Sequence, residues 1–196
     1  MSDRPLPVAN EQRRHQRIGF DEALPISIGH HGERSVGSLE NLSLGGLMFR
    51  SKLQLSVGET IGCEFCVFDS PLIDIAATVA SKVGEGLYGV RFQAGPMSQH
   101  LIEDAINSAI RKGKATIISI HNVNGSKIMR VAGGLTAANS NDFMHAVARV
   151  GVAEIDLSEV TLIDKEGVAL CTLAVTRYGV NAARRSSCVQ AAWNHP

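Results

Sequence analysis

The chain has 196 residues, enough for one medium domain or two small ones. Nineteen basic side chains balance nineteen acidic ones, which argues against a general nucleic-acid or polyanion binder. Hydrophobic residues at 44% and charged residues at 19% exclude a disordered composition. The first dozen residues hold two prolines among polar side chains and read as an arm without the apolar middle of a secretion signal. No apolar run approaches the ~18 residues of a membrane span, so no membrane insertion is expected. With no export signal, Cys63, Cys66, Cys171 and Cys188 are read as reduced thiols of a cytoplasmic protein.

From Leu24 the pattern becomes short apolar alternations separated by turn residues. Strands are predicted over Leu24–Gly29, Arg34–Asn41, Gly46–Lys52, Thr60–Phe68, Leu72–Lys82 and Tyr88–Gln93. Six such strands suggest an antiparallel barrel. The period changes at Ser98–Lys112, where Leu101, Ile102, Ala105, Ile106, Ala109 and Ile110 mark one face of an amphipathic helix. Acids stand early in it, bases late, and Gly113 is a terminator. Thr116–Ile120 and Lys127–Val131 then read as a hairpin around Asn124-Gly125. Asn139–Asp142 is expected to cap a helix carrying Phe143, Ala146, Val147 and Val150. Val152–Leu157 reads as a buried strand, Lys165–Tyr178 as a helix, and Cys188–Trp193 as a last short strand. Alternating strands and helices imply an α/β layer, so the expected division falls near Gly113: domains 1–113 and 114–196.

Two short constellations carry chemistry. Arg13-Arg14-His15-Gln16-Arg17 holds three arginines in five residues without an acid. Asn41-Leu42-Ser43-Leu44-Gly45-Gly46 sits at a tight turn between strands. Arginine's fork pairs with the O6/N7 edge of guanine or with phosphate oxygens. Asn and Ser offer short directional partners, and a glycine ending the turn permits positive φ and close backbone approach. Taken singly, each segment is better read as a solvated charge cluster or an ordinary hairpin turn, because charge runs and glycine turns are common.

Together, Arg13 and Arg17 spell R-x-x-x-R, and Asn41, Ser43 and Gly46 spell N-x-S-x-x-G, ahead of a six-stranded pattern. This resembles the PilZ family, receptors for the bacterial second messenger cyclic di-GMP. The resemblance spans residues 11 to 112, including Tyr88-Gly89-Val90-Arg91-Phe92, similar to the family's last barrel strand. It implies that Arg13 and Arg17 bind guanine edges and phosphates with Arg14 as helper. Asn41 would meet a guanine, Ser43 a phosphate or base edge, and Gly46 would keep the loop open. Asn at the first loop position is an accepted variant of Asp, and both motifs are intact.

The second half is similar to STAS domains, the anti-sigma-factor-antagonist-like modules, through Ile155–Asp164 and Gly167-Val168-Ala169-Leu170. That family's phosphorylated hydroxyl is replaced here by Lys165, with Asp164 left as a helix cap. A complete domain of that kind continues through another helix. Its absence would leave Val189, Ala191 and Trp193 as apolar surface for self-association or a protein partner.

Other candidates are weaker. Cys63-Glu64-Phe65-Cys66 lies within a strand, where its thiols point to opposite faces. His30-His31 beside Gly32 reads as a polar hairpin tip. Asp156 and Asp164 flank one loop and read as turn and capping residues. No nucleophile or metal constellation is present, so an enzyme is disfavoured and no cofactor is expected. The expected fold is a PilZ-like β-barrel with an appended helix, followed by an abbreviated STAS-like α/β domain. The expected function is a cyclic di-GMP effector relaying to a protein partner; the alternative is a constitutive adaptor whose β half is only a scaffold.

Overall fold

The computed structural model describes residues 16–194. Arg13 and Arg14 lie outside the described residues. Six antiparallel strands come first: β1 (Ile18–His30), β2 (Glu33–Ser43), β3 (Gly46–Arg50), β4 (Thr60–Phe65), β5 (Ile73–Gly84) and β6 (Leu87–Phe92). Their order is β1-β2-β3-β6-β5-β4, and pairing of β1 with β4 closes them into a barrel. Alternation turns Ile26, Ile28, Leu47, Phe49, Cys63 and Val79 inward, each at most 1% exposed. The buried Tyr88 hydroxyl donates to the Leu53 carbonyl (2.8 Å) and accepts from the Leu55 amide (3.3 Å). That pair of bonds ties the loop after β3 to the barrel wall.

The first strand begins six residues before the predicted Leu24, at Ile18. Its register with β2 shifts between Gly19 and Leu24, and this irregular stretch, carrying Asp21 and Glu22, broke the alternation that the prediction relied on. Helix α1 (Pro96–Arg111) follows β6 and buries Ile102, Ala105, Ile106 and Ala109 in the same core as the barrel. It starts two residues earlier than predicted, with a proline in its first turn. Glu103 and Asp104 therefore fall beyond that turn, and only Arg111 complements the helix dipole. Gly113 ends the segment with φ +67°.

The second half builds on a hairpin, β7 (Ala115–Val123) and β8 (Ser126–Leu135), joined by Asn124 and Gly125 with φ of +52° and +83°. Strand β9 (Glu154–Ile163) lies parallel to β8, and β10 (Asn181–Arg185) parallel to β9. Helix α2 (Ser140–His145) and one π turn (Ala146–Val150) lead into β9, and helix α3 (Lys165–Tyr178) leads into β10. Asn139, in the predicted stretch, holds the N-cap position of α2 without a side-chain cap bond there; the side-chain cap is Thr136, at the head of the 3-10 turn Ala137–Asn139 that runs into α2. The Thr136 hydroxyl accepts from Ala138 N, and Asn139 Oδ1 accepts from Thr136 N (2.9 Å). Phe143, Ala146 and Val147 are buried as expected, while Val150 is half-buried. β9 runs six residues past the predicted end at Leu157.

Cys188–Trp193 is not a strand. It lies in helix α4 (Ser187–Asn194), where Val189 is fully buried. Ser186 caps it, with its hydroxyl accepting from Val189 N (3.4 Å) and its carbonyl from Gln190 N (2.9 Å). Cys188 and Trp193 pack against the second core, and the Arg185 guanidinium lies 4.0 Å over the Trp193 ring. The expected bare apolar face at Val189 is thus covered by the chain's own final helix.

The two halves have separate cores, one around the barrel and α1 and one between β7–β10 and α2–α4. They share one ten-stranded sheet, because β1 pairs with β7 through Gly19↔Thr116 and Phe20↔Ala115. Thr116 Oγ1 donates to the Gly134 carbonyl, and Thr161 Oγ1 to that of Ile110 (2.8 Å), fastening β9 to the end of α1.

Candidate functional site

The N-x-S-x-x-G residues form the end of β2, the turn and the start of β3. Asn41 faces Met48 across the ladder and Ser43 faces Gly46. The register of β1 against β2, Ile18↔Leu42 and Gly19↔Asn41, sets the backbone of Arg17 level with Ser43. Pairing of the first two strands therefore brings Arg17, Asn41, Ser43 and Gly46 together from 30 residues of sequence.

Alternation puts Leu42 and Leu47 inside the barrel, so Asn41, Ser43, Gly46 and Met48 share its outer face. Asn41 Nδ2 points to Met48 Sδ at 3.7 Å, while Asn41 Oδ1 is buried and accepts nothing among the described residues. A buried acceptor without a donor is costly, of order 1–3 kcal/mol. A guanine edge presents N–H donors of the kind it lacks. The Ser43 hydroxyl donates to the Gly46 carbonyl at 3.0 Å, which fixes the turn and leaves the oxygen's lone pairs available.

Gly46 does not take the positive φ expected of it. Its role is close approach: a Cβ there would stand 2.0 Å from the Val90 carbonyl oxygen on β6. Beyond it, Gly46 pairs with Arg91 and Met48 with Gly89. On this face Gly46 and Gly89 carry no side chain and are buried in the sheet, with the Ser81 side chain packed against Gly89 and with Asn41 and Ser43 on the β2 side. Met48 was not singled out in the sequence, and Gly89 only as part of the last-strand match. Strand alternation places Met48 beside Gly46, but only the β3–β6 register reveals Gly89.

The other candidates fall outside this face. Cys63 lies in the barrel core, where burial and the Asp74 charge push its thiol up to about 12. Cys66 follows β4 and is half-buried. Burial likewise pushes Cys171 up to about 12, against the opposing charge of Arg185. His30 ends β1 with its Nε2 3.3 Å from Glu59, and His31 turns the chain with φ +47°. Asp164 caps α3 by accepting from Gly167 N (2.7 Å). Asp156 is 6% exposed and held below the usual carboxylate range. Burial opposes its charge, and the Ser158 hydroxyl and amide with Arg184 and Arg130 outweigh it.

Residues 11–109 match the family model of the PilZ domain. The chain belongs to the PilZ family. No curated protein matches the sequence. Among solved structures, the PilZ domain of YcgR from Escherichia coli, with c-di-GMP, is 19% identical over 50% of this chain and 91% of that one, with TM-score 0.44. The Inhibitor of motility MotI/DgrA of Bacillus subtilis is 18% identical over 53% of this chain and 54% of its own, with TM-score 0.42. The K. pneumonia MrkH–c-di-GMP complex is 18% identical over 52% and 53%, with TM-score 0.43. The six-stranded barrel with its helix is the PilZ fold, and the matched segment ends within α1. The STAS likeness read from residues 115–193 gains no support from these similarities.

Proposed function

We propose that the chain is a non-enzymatic cyclic di-GMP receptor whose ligand lies on the outer face of the barrel at the turn after β2. Arg13, Arg14 and Arg17 supply forks for guanine edges and phosphates, Asn41 accepts from a guanine edge, and Ser43 contacts a phosphate. Gly46 keeps the loop open. The observation that carries this reading is the orphaned Asn41 oxygen, buried beside Ser43 and level with Arg17.

The finer reading divides the chain into a sensor, residues 1–113, and a STAS-like output half, residues 114–196, that relays the bound state to a protein partner or a second copy. Its support is topological: a hairpin, then two parallel strands each reached through a helix, with Asp164 at the α3 cap. Lys165 rules out a hydroxyl phosphoswitch at that cap. An open groove of ≈ 810 Å³ beside it, lined by Val168, Ala169 and Leu173, is apolar surface a partner would use.

Calorimetric titration of the full chain with cyclic di-GMP tests the first reading. Arg13→Ala and Arg17→Ala are each expected to weaken binding at least about tenfold. Wild-type affinity in both variants would overturn the site. No heat and no binding by the wild-type chain would leave the constitutive adaptor.

A further inference from the structure

Three arginines stand on the described barrel strands. Arg34 is held by Glu64 (2.6 Å) and Arg50 by Glu40 (3.4 Å). Arg91 on β6 is exposed and makes no ion pair, hydrogen bond or ring contact among the described residues. Its neighbours across the ladders are Gly46 on one side and Thr78 on the other, neither charged. A cation without a carboxylate is ordinary on a surface, but its position here is not.

Arg91 pairs directly with Gly46, and Gly46 with Ser43, so the three form one row across β2, β3 and β6. Strands in a sheet lie about 4.8 Å apart. Ser43 and Arg91 therefore flank Gly46 at that spacing on either side. Val90 faces inward and Arg91 outward, on the same face as Asn41, Met48 and Gly89. A ligand laid across this row meets Asn41 and Ser43 at one edge and an unclaimed guanidinium at the other.

We infer that Arg91 is a further binding residue of this face, pairing with a phosphate oxygen of the phosphodiester ligand from the side opposite Ser43. The inference rests on the nucleotide reading above. The ligand class follows from the chemistry: a planar five-donor fork matches a phosphodiester, and an anion arriving here displaces no existing ion pair.

The test is titration of the full chain with cyclic di-GMP at low and at physiological salt, with Arg91→Ala, Arg91→Lys and, as control, Arg50→Ala. Arg91→Ala is expected to weaken binding about tenfold and to flatten its salt dependence, with Arg91→Lys between it and wild type. Arg50→Ala is expected to bind as wild type, because Arg50 is held by Glu40 and lies four residues along β3 from Gly46. Melting temperatures equal to wild type are expected for all three, since these side chains are exposed. Arg91→Ala with wild-type affinity and salt dependence would overturn the inference while leaving the nucleotide reading intact. Equal losses in Arg50→Ala and Arg91→Ala would overturn it too, by showing only a general effect of net charge. A wild-type chain that does not bind would overturn the nucleotide reading itself and Arg91's role with it.

Discussion

Replacing Gly46 with alanine puts one methyl group where the barrel has no room. The new Cβ would stand 2.0 Å from the Val90 carbonyl oxygen and 3.1 Å from its carbon, both backbone atoms of a central strand. No rotamer relieves this, so β3 and β6 must separate by more than an ångström around Gly46↔Arg91. The neighbouring bond from Phe92 N to the Gly45 carbonyl (3.0 Å) lies in the same turn and weakens with it. Overpacking of this kind costs about 1–3 kcal/mol and a lost hydrogen bond about 1 kcal/mol more. For a chain of this size, roughly 2–4 kcal/mol lowers the melting temperature by roughly 5–15 °C. The control is Gly29→Ala in β1, where a Cβ meets nothing within 4 Å and φ is not positive. It is expected to match wild type or gain slightly. Urea midpoints and thermal melts of the pair measure the difference. If Gly46→Ala and Gly29→Ala melt within about 2 °C of each other, the tight approach of β3 to β6 is not as described. Gly46→Val, with two more carbons in the same place, is expected to abolish nucleotide binding.

Tyr88→Phe leaves the Leu53 carbonyl and the Leu55 amide without their shared partner and should cost about 1–3 kcal/mol, read from urea midpoints. Asp156→Asn should cost about 1.5–3 kcal/mol at pH 7, because a charged acceptor bonded to Ser158 and Arg184 is lost. Its folded pKa is lowered, so the stability it confers is present above the ordinary carboxylate pKa of about 4 and is lost as pH falls through the folded value. Wild type and variant should therefore converge as pH falls below the folded value, and a constant gap would refute this reasoning. Val189→Asp buries an unpartnered carboxylate beneath α4 and should release that helix, seen as fast amide exchange over residues 187–194.

Elements with chemistry at both ends were legible in the sequence. Helix α3 runs over Lys165–Tyr178 as predicted, because Asp164 caps one end and Gly179, at φ +67°, terminates the other. The hairpin at Asn124-Gly125 was equally plain, since both residues tolerate positive φ. Failures came where local pattern was ambiguous. Six residues from Cys188 to Trp193 suit a strand or a helix, and the signal that decides is Ser186, a cap lying just outside the run. Val189 is covered because a helix packs it against β9 in the second core; a strand would have exposed part of the run.

For the site, sequence by itself determined the two motifs, the placing of the second at a turn between strands, and the family to which they belong. It determined the six-strand count as well, because turn residues punctuate the chain at each reversal. Three further facts were decided only by the tertiary structure. Arg17 stands level with Ser43 because β1 pairs with β2; Gly46 is a contact glycine because β6 lies against it; and Gly89 and Arg91 join the face because β3 pairs with β6 in one register. Register is a property of two strands at once, set by how their inward side chains pack across the barrel, and no single strand's sequence contains it.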